Sequence, residues 1–137
     1  MVLYGFSRGG FGSLYYGKLL DLQVVSVDPV IDASFFVESR QDMHFLKYLR
    51  KIDLVSELNE ISDANQEYYK IILSNEKTGN KIYENSVLPI DKGKTLKVIN
   101  LKDKNANWHG KIAEQTVPET LTLINGLLDS RFSINWQ

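Results

Sequence analysis

Val2-Leu3-Tyr4-Gly5-Phe6-Ser7-Arg8-Gly9-Gly10-Phe11-Gly12-Ser13-Leu14-Tyr15-Tyr16-Gly17 contains a change of pattern that decides the fold. Residues 1–4 are a short apolar run, which predicts a strand ending at Gly5. From Arg8 to Leu20 the apolar residues Phe11, Leu14, Tyr15, Leu19 and Leu20 fall near helical spacing, which predicts a helix. Between the two, Gly5, Ser7 and Gly9 satisfy Gly-x-Ser-x-Gly. Composition alone would produce that pattern in about 4% of chains this long, so its weight comes from its place between strand and helix. Gly9, Gly10, Gly12 and Gly17 would each weaken the helix by about 1 kcal/mol relative to alanine. That cost predicts close packing of the helix backbone against a neighbour.

Reading outward, Gln23–Val27 is a short β-branched run that predicts a buried strand, closed by Asp28-Pro29. Residues 31–68 scatter apolar side chains among charges at helical intervals, which predicts two or three short helices and a helical insertion or lid at about 33–67. Residues 69–74 predict a third strand, and Asn75, Gly79 and Asn80 mark the turn that follows. A short helix and a loop at Pro89 are expected within 82–92, then a fourth strand at 95–101 and a polar loop at 102–110. Val117–Leu128 closes the pattern as a helix, with Pro118 in its first turn where proline is tolerated. Strands separated by helices imply an α/β fold: a mainly parallel sheet of about four strands, flanked by helices, in one domain over 1–137.

Composition narrows the function classes. The 137 residues carry a net charge of -1 with both signs interspersed, which argues against nucleic acid or an anionic membrane as partner. Lysines within 92–104 alternate with Leu96, Val98, Ile99 and Leu101, the pattern of a strand with solvated flanks. The absence of cysteine removes disulfides and thiolate chemistry and fits a cytoplasmic location. No apolar run reaches membrane-spanning length, and the glycines and Arg8 near Met1 do not read as a signal peptide. Two widely separated histidines and scattered carboxylates form no metal-ligand pattern, and no cofactor is expected.

A strand–turn–helix centred on Gly-x-Ser-x-Gly is the geometry of a nucleophile elbow. Ser7 would adopt a strained backbone so that its hydroxyl projects above the sheet edge, with glycine on either side to avoid collision. The Arg8 N–H, at the amino end of the helix, would be one oxyanion donor. The competing readings are a turn in which Ser7 caps the helix and a phosphate-binding loop; the latter lacks both Gly-Lys-Ser/Thr and Gly-x-Gly-x-x-Gly. A serine nucleophile needs a base and an acid that orients it. His109 lies after the last strand and suits the order serine, acid, histidine, whereas His44 reads as a helix residue. For the acid, Glu76 is the first carboxylate beyond the third strand, and Asp28 at the end of the second strand is the alternative; Asp32, Asp91 and Asp103 are weaker candidates.

The run Gly5 to Gly17 resembles the elbow of the α/β-hydrolase-like component of the bacterial accessory Sec system and related proteins of capsular polysaccharide biosynthesis. The shared features are the elbow itself and the following Phe-Gly-x-Leu-Tyr-Tyr-Gly. The resemblance is specific over about 15 residues and elsewhere is only an order of elements. It implies an esterase or O-acetyltransferase with a serine–acid–histidine triad acting on a glycan or glycoprotein. Carried over, Ser7 is the nucleophile, Glu76 the acid and His109 the base. It also implies that the chain corresponds to the C-terminal half of that fold, without the loop carrying the second oxyanion donor. Arg8 stands where a smaller or apolar residue is common, which would suit an anionic substrate group. A different class of function is a non-catalytic module in assembly of a secretion or capsule complex, with Phe35, Phe36, Tyr68 and Tyr69 as interface aromatics if they are not core.

Overall fold

The computed structural model describes residues 1–32, 53–78, 81–102 and 108–129. The fold is α/β, built on a four-stranded, all-parallel sheet with alternating helices. Strands β1 (Val2–Phe6), β2 (Gln23–Val27), β3 (Lys70–Ser74) and β4 (Leu96–Asn100) lie in the order β1-β2-β3-β4. One row of the register runs Gly5, Ser26, Ile72, Val98 across the sheet. The helices are α1 (Arg8–Leu20), α2 (Leu54–Glu60), α3 (His109–Gln115) and α4 (Val117–Leu128), with a π-helical turn at Tyr83–Val87. No helix among the described residues is long and apolar enough to cross a membrane.

Alternation along the strands divides the core in two. On one face Val24, Ile72 and Leu96 pack with Leu14 of α1, Leu58 of α2 and Val87 of the π turn. On the other, Val25, Val27, Ile71 and Leu73 meet Ile112 of α3 and Leu123 of α4. Cover on both faces is why β2 and β3 read as continuous apolar runs. Lys18 is buried on α1 and donates to the Leu58 carbonyl at the end of α2, a favourable place for a cation.

Three expectations need adjustment. β1 continues through Gly5 to Phe6, so the strand delivers its last residue directly to Ser7. The glycines of α1 divide into two kinds. A Cβ at Gly17 would lie 2.1 Å from Val24 Cγ2, whereas Gly9 and Gly12 have nothing within 4 Å and line an open groove of about 430 Å³ beside β1. Tyr68 and Tyr69 are exposed and not core, while Phe35, Phe36, His44, Asp103 and most of the proposed 33–67 insertion lie outside the described residues.

At the edge of the sheet away from Ser7, Asp21 ends α1 in the left-handed conformation, φ 50°. Its carboxylate accepts from the Glu67 and Tyr68 N–H groups and from Lys70 Nζ at 2.6 Å, tying α1 to the start of β3. Burial pushes the Asp21 carboxyl up, but these donors outweigh it and hold the carboxyl below its ordinary value.

Three variants test these contacts. Gly17→Ala gains about 1 kcal/mol in helix propensity but crowds Val24; the crowding wins, and urea unfolding shows a loss of about 1–3 kcal/mol. Gly12→Ala, in open space, gains up to about 1 kcal/mol in the same measurement. Because the carboxyl of Asp21 is lowered on folding, its contribution is present above the unfolded value and disappears as pH falls through the folded one. The Tm gap between the parent and Asp21→Asn is therefore full at neutral pH and closes progressively below the ordinary carboxylate value of 3.8.

Candidate active site

Parallel strands bring their carboxyl ends to one edge, and four of the candidates for chemistry follow such an end. Ser7 follows β1, Asp28 follows β2, Glu76 lies two residues beyond β3, and His109 follows the segment after β4. Ser7 occupies φ 62°, ψ -123°, a sparsely populated conformation costing about 1–3 kcal/mol for a residue with a side chain. Its main chain is held on both sides. The Ser7 N–H donates to Val27 O at 3.1 Å, and the Val30 N–H donates to Ser7 O at 3.0 Å. A Cβ at Gly5 would sit 2.0 Å from Gly9 O, so Gly5 is required for the sharp turn; Gly9, expected to share that role, is not sterically constrained.

Ser7 stands in the N-cap position of α1, yet its side chain makes no capping bond. A capping serine uses extended backbone and spends its oxygen on the helix, so the capping alternative does not describe this turn. Ser26 Oγ donates to Gly10 O at 2.9 Å and holds the first turn of α1 on β2. The exposed Arg8 is the first residue of that turn.

His109 was expected in a loop; it is instead the first residue of α3. The helix has seven residues, too few for a periodic signal, and Gly110 disguises it further. Gly110 makes room for the Trp108 ring: a Cβ there would meet Trp108 Cζ3 at 2.1 Å. The His109 ring stacks on Phe6, the residue before Ser7, with centroids 4.6 Å apart and planes at 19°.

The carboxylate that meets His109 is Asp28. Oδ2 lies 2.6 Å from Nδ1, and the Asp28 side chain is completely buried. An ionised carboxylate can only accept, so Nδ1 carries the shared proton and, in the neutral ring, Nε2 is the basic nitrogen. Asp28 Oδ1 accepts from Ser74 Oγ at 2.7 Å, so both carboxylate oxygens are satisfied as burial demands. Asp28 adopts φ 46°, a left-handed conformation that aspartate tolerates better than most residues. Its N–H donates to Leu73 O at 2.8 Å.

The preferred acid, Glu76, stands elsewhere. It is exposed, and its N–H donates to Asn100 Oδ1 at 3.2 Å. The strand end from which an acid was expected supplies the Ser74 hydroxyl to Asp28 instead. Asp32 lies four residues beyond Asp28, with its N–H held by Ser86 Oγ at 2.9 Å, and the Asp91 N–H is taken by Asn59. Ser74 was not legible as a site residue, because a serine ending a strand before asparagine reads as the start of a turn.

No family model, curated protein or solved structure matches this chain.

The geometry makes a direct prediction about the histidine. The proton between His109 Nδ1 and Asp28 Oδ2 should give a far-downfield resonance in proton NMR of the resting protein. Asp28→Asn, which retains a tolerance for left-handed backbone, removes that resonance; Glu76→Gln leaves it in place.

Proposed function

We propose that this chain performs serine-dependent acyl-ester chemistry, as an esterase or O-acetyltransferase of the α/β-hydrolase type, on a glycan or glycoprotein. The observation that carries the reading is the His109–Asp28 pair, closed at 2.6 Å at the same sheet edge where Ser7 is held at φ 62°. Strand order adds support: the nucleophile follows the first strand, the acid the second and the histidine the last. The glycan substrate and a setting in capsule biosynthesis or accessory secretion rest on the resemblance of residues 5–17.

In this reaction Ser7 Oγ attacks the ester carbonyl carbon and its proton passes to His109 Nε2. Asp28 stabilises the imidazolium and keeps the ring in the required tautomer. The Arg8 N–H, at the positive end of α1, donates to the developing oxyanion. The C–O bond breaks, and the alcohol leaves with the proton from His109. Water or a sugar hydroxyl then attacks the acyl-Ser7 carbonyl with His109 as base, which regenerates Ser7 and releases the acid or the new ester.

A serine-directed fluorophosphonate probe tests this reading. It should label the folded protein; Ser7→Ala abolishes labelling, and His109→Ala slows it by about 10³-fold or more. A folded parent protein that resists the probe would sink the catalytic reading in favour of a hydrolase-like module in complex assembly.

A further inference from the structure

We propose that Ser74 is a positioning residue of this site, one that sets the Asp28 carboxylate against His109; its catalytic consequence rests on the reading above. Ser74 is completely buried, and its hydroxyl donates to Asp28 Oδ1 at 2.7 Å. A carboxylate held by one oxygen can swing about its Cβ–Cγ bond. Held through both, by Ser74 on Oδ1 and His109 on Oδ2, it has one orientation. The two bonds also share the cost of a buried negative charge, which water cannot reach at zero exposure.

The same strand end also holds the chain as it leaves β4. The Leu101 N–H donates to Ser74 O at 2.7 Å, and the neighbouring Asn75, itself buried, donates from Nδ2 to Leu101 O at 2.8 Å. Asn75 Oδ1 accepts from the Lys77 N–H at 2.9 Å, which fixes the amide. Ser74 and Asn75 thus hold the acid through a side chain and the start of the histidine-bearing segment through the main chain and an amide. The dipeptide couples two partners that lie 81 positions apart in the chain.

The test uses the far-downfield His109 ring-proton resonance together with fluorophosphonate labelling. Ser74→Ala should abolish or displace the resonance and slow labelling about tenfold or more, the scale of one hydrogen bond to a charged group. Ser74→Thr, which restores a hydroxyl, should recover both; a residue of purely structural importance would not show this paired rescue. Ser74→Cys, with similar shape and a weaker donor, serves if the alanine protein does not fold, and should fall between. An unchanged resonance in Ser74→Ala overturns the proposal, as does, where the parent reacts with the probe, labelling of Ser74→Ala at the parental rate. The resonance needs no turnover. A parent protein that resists the probe while Ser74→Ala loses the resonance therefore overturns the catalytic reading and upholds the positioning role.

Discussion

The two hydrogen bonds that lace the Ser7 main chain to the turn after β2 are the constraint on which the site depends. Ser7 N–H reaches Val27 O and Val30 N–H reaches Ser7 O, so the serine turn and the aspartate turn form one unit. Each turn contains a residue with positive φ, Ser7 at 62° and Asp28 at 46°. Strain of about 1–3 kcal/mol per residue is comparable to the net value of one or two hydrogen bonds. The turns can therefore persist only because β1 and β2 are already paired along their whole length, from Val2↔Gln23 to Phe6↔Val27. The sheet over-determines the conformation that the turns alone would abandon.

Burial of the acid imposes a second requirement. A carboxylate without solvent contact costs several kcal/mol unless hydrogen-bonded partners compensate it. Asp28 has His109 on one oxygen and Ser74 on the other. Each partner comes from a different strand end, so the charge is satisfied only when β2, β3 and the segment after β4 are assembled. The same contacts that orient the histidine also make a buried charge tolerable.

Local patterns made much of the architecture legible. The bounds of α1, β2 and α4 follow from apolar spacing, β-branched residues and an N-terminal proline, all of which act within a few residues. Ser7 was legible for a related reason: a turn between strand and helix needs glycine at fixed offsets, and Gly5 meets that need. Where the signal was short or non-local, the reading failed. The seven-residue α3 left no periodicity around His109. Both Asp28 and Glu76 precede the histidine, so chain order could not choose between them, and a strand-end serine gave no hint of its role.

What the amino-acid sequence determined by itself was the alternation of strands and helices, the parallel sheet this requires, and the sharp turn that carries Ser7. These depend on steric and hydrophobic preferences between near neighbours in the chain. Only the tertiary structure decided which carboxylate holds His109 and which hydroxyl holds that carboxylate. Asp28 meets His109 across 81 positions, and Ser74 meets Asp28 across 46. Such distances are closed by the order and register of the strands, and a pairing made through space leaves no spacing rule along the chain.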